Sequence, residues 1–446
     1  GWAWFALLVA VVGHGEPLAM DLAVHQMMLA LRNPLADYPM AALASLGDWP
    51  VLAPPCTLVL LYFVWRQRWM AAAHWLAALA FGLALTWLLG TTVEVVRPPG
   101  ASSGFGFPSI AVTMSTIAFG FFAVLIAREL PGRDRVWPYL VSGGVVALIG
   151  FARLYLGAHW LSDVIGGMLL GIVWLLVLGI AYRRRFNRSF WVKPVAWLFY
   201  GTFVAAALWY APRNIEAKLA KFEPPPPPPV LQDLEDWWSH EWMLQPARRN
   251  EFDDELRWPL DVQVAGPLAP LRQRLEAAGW RVQPQARWEQ AVNLLDTDGE
   301  PDQVPVLPAT LGARTEALLM VKDTPERNLR HVLRLWPTPV HLQPGDVPLW
   351  VGTTQVLHLK HDLGLIVTWR PQRGAEPDLE PLMPPLRDLP HVVAPHPESH
   401  LPVLRVRTDG LDGEAASPIP RPSTPAAGPD GGADHPPAAA PGAVRR

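Results

Sequence analysis

The chain has 446 residues, of which 50% are hydrophobic and 17% charged, with a net charge of −3. That length allows two or three domains, and the slightly acidic balance argues against nucleic acid as a partner of the whole chain. Cys56 is the single cysteine; this excludes a disulfide framework and a thiolate metal site, and in its apolar run it reads as a small buried hydrophobe.

Apolar residues crowd into the N-terminal half, which predicts a membrane part followed by a soluble part. The chain opens on Gly1 inside the apolar run Trp2–Val12, which reads as a truncated span; it lacks the basic front and small-residue cleavage site of a signal peptide. Glu16–Trp49 is mixed, with Leu22, Val24, Met28 and Leu31 at helical spacing, and predicts short helices lying at the membrane interface. Further spans are predicted at Val51–Trp65, Ala71–Gly90, Ile110–Ala127, Val136–Leu156, Val164–Tyr182 and Val195–Tyr210, each near the ~20 apolar residues that a crossing helix needs. Trp65, Trp69, Trp137, Trp191 and Trp209 stand near span ends, where amphipathic rings prefer to lie.

Basic residues set the expected orientation. Arg66 and Arg68, then Arg128, Arg133 and Arg135, then Arg183, Arg184, Arg185 and Arg188 fall in alternate loops, which the positive-inside rule puts in the cytoplasm. The loops at Glu94–Pro108 and Arg153–Asp163 are then expected on the outer face, together with everything after Pro212.

Those two loops carry the unusual residues. Arg153, His159 and Asp163 sit between two apolar runs, where ionisable groups are costly. His159 and Asp163 are four apart and share a helical face, so the carboxylate can hold one tautomer of the imidazole while the other ring nitrogen stays free. Arg153 offers a fork of donors suited to phosphate oxygens. Phosphate chemistry and a polar cap at the headgroup level both account for the trio. In the other loop, Arg97 suits a second phosphate contact or snorkelling to headgroups. Ser109, after Pro108 at a helix start, suits anion binding or a plain N-cap. The glycines and serines of Gly100–Gly106 permit a tight loop, and Glu94 lies one turn before Arg97.

Over roughly residues 50–182 this pattern resembles the type 2 phosphatidic acid phosphatase (PAP2) and vanadium haloperoxidase superfamily. Its three blocks read Lys-x6-Arg-Pro, Pro-Ser-Gly-His and Ser-Arg-x5-His-x3-Asp. The chain matches the first as Arg97-Pro98 with Gly90 in the Lys position, and the second as Pro108-Ser109 with Ile110 and Ala111 replacing Gly-His. It matches the third as Arg153, His159 and Asp163, with Ala152 for Ser. The resemblance implies an all-α transmembrane bundle of six to seven spans. It casts His159 as the nucleophile that forms a phospho-histidine and Asp163 as its orienting partner. Arg97, Arg153 and Ser109 become the phosphate-binding residues. It implies no metal and no other cofactor. The substrate would be phosphatidic acid or a polyprenyl diphosphate. The general acid of the second block is replaced by Ala111, and losing such a group typically costs on the order of 10²–10⁴ in rate. His14, His25 and His74 are the histidines to weigh as stand-in acids, though each reads more simply as interfacial or satisfied. A catalytically impaired descendant that binds headgroups therefore stands beside the phosphatase.

After Pro212, six consecutive prolines at Pro224–Pro229 predict a stiff extended spacer. A soluble α+β part follows. Strands are expected at Val262–Ala265, Trp280–Val282, Ala317–Val321, Val332–Trp336, Leu349–Val351 and Gly364–Trp369, and a helix at Pro267–Ala278. His358 and His361 flank Lys360 and read as a solvated face. Leu256–Gly266, Ala277–Arg281 and Pro348–Gly352 resemble the LssY C-terminal domain, which implies a binding or sensing module and an envelope protein partner. The expected organisation is a membrane domain over 1–212, a Pro-rich linker over 213–239, the LssY-type domain over 240–370 and a disordered Pro/Ala/Gly-rich tail over 371–446. The expected location is a bacterial inner membrane, with the site and the C-terminal domain facing the periplasm.

Overall fold

A bilayer core offers the backbone no water to bond, so its apolar runs must close their hydrogen bonds within helices. In the computed structural model of the chain, the described residues are 1–93, 95–101, 106–183, 192–249, 258–284, 286, 301, 304–326, 328–362, 366–371 and 377–410. Glu94, most of the glycine-serine loop, the basic run after Arg183 and the expected tail beyond 410 lie outside them. The membrane part is α1 (Trp2–His14), α2 (Ala19–Leu31), α3 (Pro34–Ser45), α4 (Trp49–Trp65), α5 (Trp69–Thr92), α6 (Ile110–Glu129), α7 (Val136–Tyr155), α8 (Leu161–Arg183) and α9 (Val192–Lys221).

Six segments among the described residues are long and apolar enough to cross a membrane: Pro34–Trp65, Trp69–Thr92, Ile110–Glu129, Gly132–Tyr155, Leu161–Ile180 and Lys193–Lys221. The chain is a multi-pass membrane protein. Two of these spans run far beyond the expected bounds. The first begins in the stretch read as interfacial and is interrupted at Leu46–Asp48 between α3 and α4. The last does not end at Tyr210. Pro212 lies inside α9, and the helix continues to Lys221 through residues expected to be linker.

Central α6 buries Val112, Ile117, Phe119 and Phe122, with the Phe122 and Phe199 rings stacked at 4.1 Å. Between α6 and α8 the approach depends on small residues. A side chain on Gly167 would come within 3.0 Å of the Ser109 carbonyl, and one on Gly171 within 2.7 Å of Thr116 Cβ.

The C-terminal part comprises β1 (Val230–Asp233), α10 (Leu234–Ser239), β2 (Val262–Ala265), α11 (Leu268–Ala277), β3 (Arg281–Val282), the small hairpin β4 (Thr310–Leu311) and β5 (Arg314–Thr315), β6 (Leu318–Asp323), β7 (Leu329–Gln343), β8 (Val347–Asp362), β9 (Ile366–Pro371), β10 (His391–Pro395) and β11 (Pro402–Arg407). The main sheet runs β10-β11-β2-β8-β7-β6-β3, with β1 beside β7 and β9 beside β8. The β11–β2 and β1–β7 pairs are parallel. His358, Lys360 and His361 lie on β8 opposite Arg370, Thr368 and Val367 of β9.

The sheet overruns the expected boundaries at both ends. Val230 to Asp233, expected as linker, pairs with Val340 to Gln343. Beyond Pro371, expected as tail, Leu382, Leu386 and Leu389 enter the core with Leu404 and Val406. Each added piece is short and lies next to prolines, and its strand or turn state comes from what it packs against.

Under this sheet lies a buried ion pair, Arg334 Nη1 to Glu316 Oε1 at 3.0 Å. Glu316 also accepts from the Ala309 N–H at 3.1 Å, and Arg334 donates to the Leu307 carbonyl at 2.9 Å. Burial pulls the Arg334 guanidinium down to about 10, against the pull of Glu316, so it stays charged at neutral pH. Removing one partner of such a pair strands the other charge and costs about 3–5 kcal/mol. Glu316→Gln is therefore expected to lower the unfolding free energy of the C-terminal part by about that amount, measured by denaturant unfolding of the detergent-solubilised chain.

Candidate active site

The end of α7 sets the site. Ala158 N–H bonds to the Arg153 carbonyl and Gly157 N–H to the Leu154 carbonyl, both at 2.9 Å, with Gly157 at φ 69. This is a Schellman stop, which needs a left-handed residue at that point. The chain reverses, and two residues later His159 stands at the entrance to α8.

Asp163, in the first turn of α8, folds back over that entrance. Its Oδ2 accepts the Trp160 N–H at 3.0 Å and lies 3.3 Å from His159 Nδ1. A carboxylate only accepts, so Nδ1 carries the proton and Nε2 keeps its lone pair. The neighbouring Ser162 is held by Asp21 of α2 through its N–H at 2.8 Å and its hydroxyl at 2.9 Å. Ser109 N–H bonds to the Asp163 carbonyl at 3.0 Å, and Trp160 Nε1 donates to the Val96 carbonyl at 2.6 Å. The loop before α6 and the segment next to Arg97 are thereby tied to the same turn.

A cavity of about 430 Å³ opens there, and Arg97, Arg153 and His159 line it together. Asp163 is fully buried behind His159. Ser109 is also fully buried; its hydroxyl forms no cap bond, and it is not among the cavity-lining residues. Ile110 and Ala111 are.

Three further charged residues that sequence reasoning had not singled out, Asp48, Lys218 and Lys221, enter the cavity. Asp48, in the break between α3 and α4, accepts from Arg153 Nη2 at 2.7 Å through Oδ1 and from the Lys218 ammonium through Oδ2. Lys218 and Lys221 come from the end of α9, on a face shared with Tyr210, Asn214 and Ala217. Their 3- and 4-residue spacing was readable, but a span ended at Pro212 left them in a linker. Asp48 carried a weaker signal, a lone carboxylate between two apolar runs.

Two of the histidines weighed as stand-in acids, His25 and His74, do not line this cavity. His25 packs edge-on to the Trp160 ring at 5.3 Å. His74 lines a separate cavity with Arg128 and Tyr139, and the His14 side chain lies outside the described residues. Among the described residues, no group of three or more His, Cys, Asp and Glu is placed to hold a metal ion.

Burial holds His159 below the ordinary histidine range; Asp163 pulls it up, and Arg153 and Arg97 push it down. Burial also lowers Arg97, which Asp163 opposes and Arg153 reinforces. The imidazole is therefore the neutral form at neutral pH. In the detergent-solubilised chain, His159 is expected to titrate below the ordinary value of about 6.5. Asp163→Asn, which removes the upward pull, should move the midpoint further down. NMR of histidine-labelled protein, assigned with His159→Gln, reads both.

The PAP2 superfamily model matches residues 92–189, and the LssY C-terminus model matches residues 242–359. Phosphatidylglycerophosphatase B of Bacillus subtilis (strain 168) is 28% identical over 197 residues, covering 42% of this chain and 96% of that protein. The Escherichia coli (strain K12) protein YbjG, provisionally named an undecaprenyl-diphosphatase, is 28% identical over 112 residues, covering 24% of this chain and 54% of its own length. A crystal structure of a transmembrane PAP2-type phosphatidylglycerolphosphate phosphatase from Bacillus subtilis aligns with a TM-score of 0.38 at 23% identity, covering 42% of this chain and 98% of that one. The chain thus carries a PAP2 superfamily domain in its membrane part, followed by an LssY C-terminus domain.

Proposed function

We propose that the chain hydrolyses a phosphomonoester or diphosphate on a lipid, such as phosphatidic acid or a polyprenyl diphosphate. The carrying observation is a neutral, buried His159, oriented by Asp163, in a cavity whose lining holds four cationic side chains (Arg97, Arg153, Lys218 and Lys221) and one carboxylate, Asp48. That excess of positive charge suits an anion, and a guanidinium fork suits phosphate oxygens.

In the reading, His159 Nε2 attacks phosphorus to form a phospho-histidine. Asp163 holds the ring and steadies the charge that develops on it, while Arg97 and Arg153 bind the phosphoryl oxygens. A lipid rather than a soluble ester is favoured by a second cavity of about 200 Å³. It is lined by Leu76, Leu79, Ala80 and Leu83 and shares Trp49, Leu52 and Met114 with the first. A hydrocarbon chain entering there would leave its phosphate beside Arg153. The basic loops favour a bacterial inner membrane with the site on the periplasmic side.

A second reading is supported by Ala111, whose methyl group lines the cavity where the resemblance calls for a proton donor. In that reading the chain is a pseudo-phosphatase that binds headgroups and anchors a periplasmic binding or sensing domain.

The deciding measurement is phosphate release from phosphatidic acid and from a polyprenyl diphosphate by the purified chain in detergent. Release is expected, and His159→Ala should reduce it to background. Equal background release from both proteins, with headgroup binding intact, would establish the second reading. Ile110→Gly with Ala111→His should then raise release only if the rest of the site is competent.

A further inference from the structure

We propose that Lys218 is the proton donor to the leaving oxygen, a role that rests on the phosphatase reading above. When the bond from His159 Nε2 to phosphorus forms, the bond from phosphorus to the ester oxygen breaks with its electron pair on oxygen. An alkoxide leaves readily only if it receives a proton as it departs. In-line displacement puts that oxygen on the side of phosphorus away from His159. The donor must therefore come from another wall of the cavity.

Few lining groups can serve. Arg97 and Arg153 are guanidinium ions that do not give up a proton in proteins. Both oxygens of Asp48 accept from cations, so its carboxylate is an acceptor here. Ile110, Ala111 and Met114 carry no transferable proton. Tyr210, Lys218 and Lys221 remain, all on α9, which contributes neither His159 nor Arg153.

Of these, Lys218 is the one fixed in relation to the phosphate-binding group. Its ammonium is bound to one oxygen of Asp48 while Arg153 occupies the other, so one carboxylate sets the distance between guanidinium and ammonium. Asp48 takes one of the three N–H donors that an ammonium carries. The side chain is only 9% exposed, which removes competition from bulk water. Lys221, one turn on, instead sets its ammonium over the Phe222 ring at 5.7 Å. Tyr210 lies eight residues back, about 12 Å along the helix. The end of α9 is itself held, because Arg32 Nη1 donates to the Phe222 carbonyl at 3.4 Å and to the Leu156 carbonyl at 3.5 Å.

The step balances. Lys218 passes one proton to the departing oxygen and becomes a neutral amine, leaving the alcohol and the phospho-histidine. Water then attacks phosphorus, the nitrogen–phosphorus bond breaks with its pair returning to Nε2, and the amine takes the proton that the water loses.

The test uses the full chain in detergent and two substrates that differ in their need for a proton, phosphatidic acid and p-nitrophenyl phosphate. Lys218→Arg keeps the charge and removes the transferable proton. Turnover of phosphatidic acid should fall roughly 10²–10⁴-fold, while nitrophenyl release, whose leaving group departs as a stable anion, changes by no more than a few-fold. Retained nitrophenyl turnover also shows that the variant is folded, and His159→Ala should abolish release from both substrates. Wild-type turnover of phosphatidic acid by Lys218→Arg, or an equal loss on the two substrates, overturns the role of Lys218 and leaves the phosphatase reading standing. Release that His159→Ala does not diminish overturns both.

Discussion

One carboxylate organises the charged end of the membrane part. Asp48 sits where α3 gives way to α4, and its two oxygens bind cations brought by α7 and by α9. Those helices are far apart in sequence, and nothing in their apolar faces would by itself dictate where two cationic side chains meet. A cation buried at a helix end in a membrane is costly unless paired. Two cations held by a single carboxylate leave one positive charge over at that carboxylate, with Lys221 in the same lining. An anion bound in the cavity would complete that pairing, which is the part the proposed phosphate would play.

Around this centre, backbone caps set the positions of the other groups. Asp163 closes the entrance of α8, Asp21 holds the next residue from α2, and Ser109 N–H reaches the Asp163 carbonyl from the start of α6. Helix starts are where N–H groups are left without partners, so the chain meets an ordinary structural need with carboxylates and gains a fixed imidazole beside them. Gly167 and Gly171 matter for the same reason, since without their close approach α8 could not bring Asp163 within reach of Ser109.

Much of this could be read from the sequence. The apolar runs marked the membrane helices, and the spacing of His159 and Asp163 placed them on one turn because a helix has one period. The alternation of the soluble half located β2, β6, β7, β8 and β9. What could not be read depends on long-range partners. Lys218 looked like linker because Pro212 and Arg213 suggest a stop, yet packing against α3 and α4 carries the helix nine residues past Pro212. Ser109 resembled an anion site, but its position against Asp163 and Gly167 buries it away from the cavity. Strands β1, β10 and β11 lie in residues read as linker and tail; their state comes from pairing, β1 with β7, β11 with β2 and β10 with β11.

Arg32 shows how far the same economy extends. Its guanidinium pairs with Asp37 at 2.9 Å and donates to the carbonyls of Leu156 and Phe222. Its own carbonyl accepts from the Thr310 hydroxyl at 2.6 Å, and the adjacent Asn33 donates to the Pro308 carbonyl at 2.8 Å. Tyr155, at the end of α7, completes the cluster through its hydroxyl, 2.9 Å from Asp37. One short connection between α2 and α3 thus binds the turn that precedes His159, the end of the helix that carries Lys218, and the segment beside the β4–β5 hairpin. Side chains on loops are ordinarily the least constrained in a structure. Here the loop residues are fixed because each end they must hold presents a carbonyl, and a guanidinium is the one side chain with enough donors in a plane to bind several at once.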